Sequence, residues 1–222
     1  MAEMKAIVFD VYGTLFDVQS VQEACEQQFP EKGESISSLW RSKQLEYAFL
    51  RQLMGQYKPF NDVTRDALRY ALETHECKYK DEIIQKLMDA YDQLRPYEET
   101  EEVLQQVQDK KLAVFSNGPD GMLDPLLRNA DLAQYFDAIV SVDEIKQYKP
   151  ATASYAYLLK QVDVKREEVL FLSSNSWDIA GAANFGFHTA WINRKGAPAE
   201  RLGHNPDKEY ANLKGLIEKN NL

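Results

Sequence analysis

The order of predicted strands and helices is the feature of this sequence that most restricts its fold. Residues 5–9 form a short apolar run that predicts a buried strand ending at Asp10. The residues from about 16 to 95 carry only helical periodicity, and after Pro96 short apolar runs alternate with amphipathic helices. This alternation predicts a parallel, doubly wound sheet with right-handed crossovers and helices on both faces.

The apolar pattern also gives the expected bounds of each element. A capping-box pattern from Ser20 to Glu23 predicts the start of the first helix of the helical block. The later helices of the block are expected at 36–56, 62–74 and 81–94. The strands after Pro96 are expected at 111–115, 137–141, 169–173 and 188–192. The helices after Pro96 are expected at 98–109, 121–131, 151–161 and 177–185, with a last one near 211–219. We therefore predict an α/β protein with a Rossmann-like core domain (residues 1–15 and 96–222) and an inserted, all-helical cap domain (residues 16–95).

Composition limits the classes of function. The 222 residues include 26 Lys and Arg against 35 Asp and Glu, and the resulting formal charge of −9 repels nucleic acid and anionic membranes on average. Hydrophobic residues make up 44% of the chain, which fits a folded globular protein. Cys25 and Cys77 have no metal-ligand spacing with the histidines, so we expect reduced thiols and no zinc site. Because no signal-like apolar segment opens the sequence, we expect a cytoplasmic location.

Several residues with reactive side chains come directly after predicted strands. Asp10 follows the first strand, and Ser116 and Asn117 follow the second. Lys149 lies in the loop after the third strand, and the segment 173–178 follows the fourth. Ligands of open α/β sheets bind outside the carboxyl ends of the strands. The joint placement of these residues therefore predicts a site at that edge.

Each of these residues also has a simpler interpretation when it is taken alone. Asp10 and Asn117 are ordinary turn residues. Asn175 and Asp178 fit the start of a helix, where such side chains cap free backbone amides. Lys149 fits a solvated loop. Only the convergence of all of them at one edge favours chemistry over local structure.

Four motifs, in this order, resemble those of the haloacid dehalogenase superfamily. They are DVYGTLFD at 10–17, SNG at 116–118, KP at 149–150 and SSNSWD at 173–178. The resemblance extends over nearly the whole chain. The segments LWRSKQLEY at 39–47 and SNSWD at 174–178 resemble the L-2-haloacid dehalogenases (type II) in particular.

Two positions distinguish this branch from the phosphatases of the same superfamily. Those phosphatases place a second acid two residues after the nucleophile and further carboxylates after the fourth strand, and these acids hold Mg²⁺. Here the first position is Tyr12, and Asp178 is the single acid of segment 173–178, which is a poor set of ligands for a hard cation. We therefore expect no metal and no other cofactor. A phosphate dianion near Asp10 would also meet uncompensated repulsion, whereas a haloacid brings one charge and a neutral reacting carbon.

The resemblance implies hydrolysis of short-chain L-2-haloalkanoic acids to D-2-hydroxy acids in two steps. Asp10 attacks C2 and expels halide with inversion, and water then cleaves the ester at the Asp10 carbonyl. Lys149 would keep the Asp10 carboxylate ionised, and Ser173 can donate a hydrogen bond to it. By resemblance, Asp178 orients or activates the water with Asn175 beside it.

The same resemblance gives roles to further residues. Thr14 supports the nucleophile loop, and Ser116 with neighbouring backbone amides binds the substrate carboxylate. Arg41 and Asn117 bind the leaving halide. The residues expected around the alkyl group or in the active site are Tyr12, Leu45, Phe60, Tyr155 and Trp177. For these apolar and aromatic side chains, plain core packing is an equally open interpretation.

Two other classes of function remain open on the sequence. The first is a metal-dependent phosphatase on the same fold. The second is a non-catalytic binding or oligomeric partner, which is disfavoured because nucleophile, lysine and water-activating acid occur together. The expected partner is a small-molecule haloalkanoate, with no nucleic acid and no membrane, and the resemblance favours a homodimer.

Overall fold

The computed structural model describes residues 3–218, and most of its elements follow the predicted order. Its strands are β1 (Ala6–Phe9), β2 (Phe16–Asp17), β3 (Arg95–Pro96), β4 (Lys111–Ser116), β5 (Ala138–Ser141), β6 (Val169–Ser173), β7 (His188–Ile192) and β8 (Lys208–Tyr210). Its α-helices are α1 (Gln19–Gln28), α2 (Gly33–Met54), α3 (Phe60–Thr74), α4 (Asp81–Asp89), α5 (Thr100–Gln106), α6 (Asp120–Asn129), α7 (Thr152–Val162) and α8 (Ser176–Phe185). None of the helices within residues 3–218 is long and apolar enough to cross a lipid bilayer.

Strand β1 lies inside a parallel sheet with the order β5-β4-β1-β6-β7-β8. The chain first adds strands on one side of β1 and then crosses to the other side. Phe9 lies opposite Val114 of β4 and Leu172 of β6, so the residues after these positions come to one edge of the sheet. The predicted α/β fold is confirmed, and its strand order reverses beside β1, where ligands bind in such sheets.

Alternate residues of β1 face two separate hydrophobic cores. Ile7 and Phe9 pack in one core with side chains of α5 and α6. Ala6 and Val8 pack in the other core with side chains of α7 and α8. Successive side chains of a strand point to opposite faces, and a strand covered on both faces is apolar throughout. This explains why residues 6–9 carry no polar side chain.

Residues 19–93 form a helical segment between β2 and β3. These two strands pair antiparallel, with Phe16 opposite Pro96, and bring the two ends of the segment together. The prediction that residues 16–95 are purely helical was therefore wrong at both ends. Two paired residues on each side are too few to produce an alternating pattern in the sequence.

The chain after β7 also differs from the prediction. In place of a helix near 211–219, the structure has the edge strand β8 and a short 3-10 helix, Leu213–Leu216; residue 219 lies outside the described residues. Leu213 and Leu216 are both buried, and their spacing of three suits a 3-10 turn as well as an α-helix. That ambiguity produced the incorrect prediction.

Helix α1 begins one residue before the predicted capping box. The amide nitrogen of Gln19 donates to Asp17 Oδ1 at 2.9 Å, and the N-cap position is Val18. The Ser20 hydroxyl is buried and has no hydrogen-bond partner among the described residues. The capping-box prediction was wrong, because Asp17 satisfies the first free amide instead.

Candidate active site

The carboxylate of Asp10 is the centre of a polar cluster at the carboxyl edge of the sheet. Asp10 directly follows β1 and is 5% exposed. Its Oδ1 accepts a hydrogen bond from Lys149 Nζ at 2.9 Å. Its Oδ2 accepts from Thr14 Oγ1 at 3.0 Å, Ser173 Oγ at 3.3 Å and Asn175 Nδ2 at 2.9 Å. Donors converge on both oxygens, as an ionised carboxylate, which can only accept, requires.

The loop after β1 turns sharply and returns Thr14 to Asp10. Gly13 has a φ of +87°, a conformation that residues with a Cβ rarely adopt, and a Cβ there would lie 2.9 Å from Ser174 Oγ. Thr14 Oγ1 also accepts from the Ser174 amide at 2.8 Å. The hydroxyl of Thr14 therefore joins the loop after β1 to the loop after β6.

Lys149 bridges two buried carboxylates. Its Nζ lies 2.9 Å from Asp10 Oδ1, 2.6 Å from Asp178 Oδ2 and 3.1 Å from the carbonyl oxygen of Phe115. Lys149 is 1% exposed, so its interpretation as a solvated loop lysine is wrong. Burial opposes the positive charge, but the two carboxylates outweigh burial and raise the pKa of the Lys149 ammonium.

Asp178 is the second carboxylate partner of Lys149 and lies in the first turn of α8. Its other oxygen, Oδ1, accepts from Tyr155 Oη at 2.7 Å, so Tyr155 reaches the cluster through Asp178. Burial raises the pKa of Asp178 to about 6, against the opposing effect of Lys149. Burial also raises the pKa of Tyr155, which keeps its phenol a hydrogen-bond donor at neutral pH. Within residues 3–218, no three His, Cys, Asp or Glu side chains group closely enough to hold a metal ion.

Asn175 occupies the N-cap position of α8, but its side chain does not cap the helix. Its Nδ2 donates to Asp10 Oδ2 at 2.9 Å, and its Oδ1 accepts from Arg41 Nη2 at 3.3 Å. The interpretation of Asn175 and Asp178 as simple helix caps is therefore wrong. Both side chains bond to groups outside α8.

Arg41 reaches the cluster from α2. Its Nη1 donates to Gln44 Oε1 at 2.6 Å, and its Nη2 donates to Asn175. Arg41 makes no ion pair with a carboxylate within residues 3–218. Gln44 is fully buried and was not predicted. Its position three residues after Arg41 on one helix face is the signal that could have identified it.

Ser116 and Asn117 hold the loops around Lys149. Ser116 Oγ accepts from the Gly118 amide at 3.1 Å. Asn117 Oδ1 accepts from the Lys149 amide at 2.9 Å. Both residues lie at the same sheet edge as Asp10, and both are buried. The link from Asn117 to the backbone of Lys149 was not predicted.

The predicted apolar residues lie in different surroundings. Trp177 packs edge-on against Phe49 of α2, with ring centroids 5.1 Å apart, and Leu45 is half-buried on the same helix. Phe60 is 2% exposed and packs against Tyr148 in one of the two cores. Core packing therefore accounts for Phe60, whereas the side chains of Leu45 and Trp177 are partly exposed to solvent.

Tyr12 lies buried against Tyr91, with ring centroids 5.9 Å apart, and Tyr91 packs on Trp40 at 5.2 Å. The Tyr12 hydroxyl has no hydrogen-bond partner among the described residues. Burial raises the pKa of Tyr12 above its usual range, so the phenol stays neutral. Tyr91 was not predicted, because its apolar spacing is the same as that of any core position.

Arg194 is a further residue near the nucleophile that the sequence analysis missed. Its Nη2 donates to the carbonyl oxygen of Thr14 at 3.0 Å, and its Nη1 donates to Glu99 Oε1 at 2.6 Å. Its guanidinium carbon lies 3.5 Å from the centroid of the Tyr97 ring. Arg194 comes two residues after the end of β7, so the rule on strand ends could have identified it.

A cleft of about 290 Å³ opens beside the cluster. Its charged lining residues are Arg41, Arg194 and Lys195, and no carboxylate of the described residues lines it. Tyr12 and Asn175 also line it, so the cleft extends to the surroundings of Asp10. A cationic cleft in a chain with a net charge of −9 suits a small anion.

Several known proteins similar to this chain are haloacid dehalogenases. The haloacid dehalogenase-like hydrolase model matches residues 4–186. An (S)-2-haloacid dehalogenase of Pseudomonas sp. (strain YL) is 41% identical over 220 residues, covering 98% of this chain and 95% of that protein. The solved L-2-haloacid dehalogenase of Xanthobacter autotrophicus with chloropropionic acid covalently bound has a TM-score of 0.91 at 39% identity, and the match covers 98% of this chain and 99% of that one. Another solved L-2-haloacid dehalogenase has a TM-score of 0.96 at 41% identity, with 98% of each chain covered.

We predict that Lys149→Met destabilises the protein by about 3–5 kcal/mol at pH 8, because Asp10 and Asp178 lose the counter-charge that they share. Without it, burial holds the pKa of the Asp178 carboxyl above that of the unfolded chain. The folded variant then binds protons more tightly than the unfolded variant. The difference in unfolding free energy between Lys149→Met and the wild type therefore narrows as the pH falls from about 8 to 4. Urea unfolding across this range measures the effect.

Lys43→Met is the matched control for this prediction. Lys43 pairs with Glu46 at 2.8 Å, and Glu46 is open to solvent. Solvent screens such pairs, so the control should lose far less stability, with no narrowing at low pH. The role of Lys149 as counter-charge would be contradicted if Lys149→Met lost no more unfolding free energy than Lys43→Met. A loss that does not change with pH would contradict it as well.

Proposed function

This chain belongs to the haloacid dehalogenase-like hydrolase family, and we propose that it hydrolyses short-chain L-2-haloalkanoic acids to D-2-hydroxy acids. The observation that carries the proposal is the buried Asp10 carboxylate, with Lys149 on one oxygen and three further donors on the other. The relatives named (S)-2-haloacid dehalogenase support it, as does the similar structure in which chloropropionic acid is covalently bound.

In the first step, Asp10 displaces the halogen. Oδ1 has a single donor, whereas Oδ2 has three, so Oδ1 keeps more electron density for attack. A bond forms from Oδ1 to C2, the carbon–halogen bond breaks, and halide leaves with the bonding electrons while C2 inverts. Asp10 loses its charge in this step. Lys149 keeps Asp178 as its counter-ion, so the buried ammonium stays paired during this step.

Arg41 and Asn117 bind the leaving halide in this proposal. Arg41 lines the cationic cleft and is held by the neutral acceptors Gln44 and Asn175. Its charge therefore remains available to an anion that forms only as the carbon–halogen bond breaks. Asn117 presents an amide from the loop after β4.

In the second step, water cleaves the ester at the Asp10 carbonyl. Negative charge develops on Oδ2, where Thr14, Ser173 and Asn175 donate hydrogen bonds, and such preorganised donors lower the barrier. Asp178 takes a proton from the water, the bond from Cγ to Oδ1 breaks, and that proton passes to the departing alkoxide. Asp10, which now carries the oxygen of the water, then releases its remaining proton to solvent and ionises again.

Binding of the substrate uses the remaining residues of the site. Ser116 and nearby backbone amides bind the substrate carboxylate, and Tyr155 acts through its bond to Asp178. The alkyl group packs against Tyr12, Leu45 and Trp177, whereas Phe60 stays in the core beside Tyr148. The cationic cleft is the proposed entrance for the anionic substrate.

We also propose a cytoplasmic location, which cell fractionation can test. We further propose a division into a core domain (residues 1–15 and 96–222) and a cap domain (residues 16–95). No metal or cofactor is included. The antiparallel pairing of β2 with β3 supports the domain division, because it closes the helical segment at its base. Hydrogen exchange should give separate protection for the two parts, and one cooperative unit would contradict the division.

We propose a homodimer formed through α2 and α3. Leu50, Leu53, Met54 and Tyr70 on these helices are exposed, with Leu53 at 84%. Exposed apolar side chains on adjacent helices indicate an interaction surface. Sedimentation of the wild type should give a dimer, and Leu53→Glu should shift it toward monomer. A wild-type monomer at micromolar concentration would contradict the dimer.

The reaction is tested by halide release from L- and D-2-chloropropionate. We expect release from the L isomer alone, unchanged by EDTA, with a D-2-hydroxy acid as product. A single turnover in ¹⁸O-water with enzyme in excess should label the Asp10 side chain and leave the new hydroxyl unlabelled. Label in the first-turnover product would mean that water attacks C2 directly. Phosphate-ester hydrolysis that requires Mg²⁺, without halide release, would favour the phosphatase.

We predict that the steady-state turnover rate, measured by halide release over many turnovers, falls below about pH 6, because the pKa of Asp178 is raised to about 6 and its protonated form cannot accept the proton from water in the second step. Initial rates between pH 4.5 and 8.5 measure this, with circular dichroism to verify folding at each pH. The Asp178→Asn variant should turn over slowly, and its rate should no longer fall below about pH 6 (the acid limb of the pH profile). An acid limb centred near pH 4, as for an ordinary carboxyl group, would contradict the role of Asp178.

A further inference from the structure

A chain of buried hydrogen bonds leads from the interior of the helical segment to Arg41. Gln44 is fully buried, and its Oε1 accepts from Arg41 Nη1 at 2.6 Å. Its Nε2 donates to Thr64 Oγ1 at 2.6 Å. Thr64 Oγ1 in turn donates to the carbonyl oxygen of Phe60, one turn earlier in α3, at 2.7 Å. The two ends of this chain, the Arg41 guanidinium and the Phe60 carbonyl oxygen, can each hydrogen-bond in only one sense.

The direction of the chain is fixed by the chemistry of its ends. The Phe60 carbonyl can only accept, so the single proton of the Thr64 hydroxyl is committed to it. Thr64 must then accept from Gln44, which turns the amide nitrogen toward Thr64. The amide oxygen is left facing Arg41, whose guanidinium can only donate. A flipped Gln44 amide would place two donors against each other at Arg41.

The partners of Arg41 also determine how much of its charge remains available. Gln44 and Asn175 are both neutral amides, and Arg41 makes no ion pair within residues 3–218. A carboxylate at position 44 would accept the same hydrogen bond but would neutralise the guanidinium. A neutral, oriented acceptor holds the group in place and leaves its full positive charge facing the cleft.

We propose that Gln44 and Thr64 are positioning residues that orient Arg41, with its charge uncompensated, toward the halide as it leaves. The role rests on the proposed function, since it acts through the halide-binding role of Arg41. It predicts that losing the chain lowers the rate of the displacement step and leaves substrate binding almost unchanged.

Single-turnover halide release with enzyme in excess isolates the displacement step. Gln44→Leu should lower the rate constant with L-2-chloropropionate about tenfold, equivalent to about 1.4 kcal/mol. The loss should be smaller with L-2-bromopropionate, because bromide is the better leaving group and requires less stabilisation. The substrate concentration at half-saturation should stay within about twofold of the wild-type value. Gln44→Glu should also lower the rate constant, because it neutralises Arg41 while keeping the acceptor.

A double-mutant cycle separates positioning from a general structural effect. If Gln44 acts through Arg41, the double variant with Arg41→Ala should be no slower than Arg41→Ala alone. Additive losses would overturn the proposal. Thr64→Val should match Gln44→Leu, and Thr64→Ser, which keeps the hydroxyl, should restore the wild-type rate.

Thr74→Val is the matched control. Thr74 lies on the same helix and donates to the carbonyl oxygen of Tyr70, one turn earlier, at 2.9 Å, as Thr64 does to Phe60. It should react at the wild-type rate. If Gln44→Leu does not fold, the two Thr64 variants decide the result against this control. If the wild type is active and Thr64→Val has the same single-turnover rate constant as Thr74→Val, the positioning role is overturned and the proposed function is not. A wild type that releases no halide overturns the proposed function and this role with it.

Discussion

One ammonium group shared between two buried carboxylates is the interaction on which the rest of the site depends. Lys149 contacts Asp10 at 2.9 Å and Asp178 at 2.6 Å, and all three side chains are almost entirely removed from solvent. Buried ions are tolerated only when each is paired and its remaining hydrogen-bonding capacity is met. This cluster has one carboxylate in excess, so the outer oxygens need neutral donors. Tyr155 supplies one to Asp178, and the loops after β1 and β6 supply three to Asp10.

The parallel sheet is what brings these donors together. Asp10, Lys149 and Asp178 are far apart in the sequence, and each follows a different strand. Strand β1 pairs parallel with β4 and β6, and β4 pairs parallel with β5, so the residues that follow these strands meet at one edge. The helical segment then adds a cation with neutral partners, which this edge of the sheet lacks. The charge of Lys149 is already used by two carboxylates, whereas Arg41 reaches the same place from α2 with only neutral partners.

The sequence predicted the parts of the site that follow from strand ends, and it failed where distant packing decides between local alternatives of similar energy. An asparagine at an N-cap contributes about 1 kcal/mol, and a typical internal hydrogen bond contributes about as much. Local sequence therefore cannot determine that Asn175 bonds to Asp10 instead of capping α8. Gln44 was missed for a related reason, because its burial depends on Thr64, a residue on another helix. The edge strand β8 has no alternating apolar pattern to identify it, since its three residues are all at least partly exposed.

The acidity of the whole chain and the cationic character of its cleft are compatible because they act over different distances. At physiological salt, exposed charges are largely screened beyond about 8 Å, so most of the net charge of −9 is not felt inside the cleft. An anion within the cleft responds to the groups that line it. Arg194 is compensated there by Glu99 at 2.6 Å, which leaves Arg41 and the exposed Lys195 as the lining cations that form no ion pair within residues 3–218. The cleft therefore favours an anion because of these two side chains, although the chain as a whole is acidic.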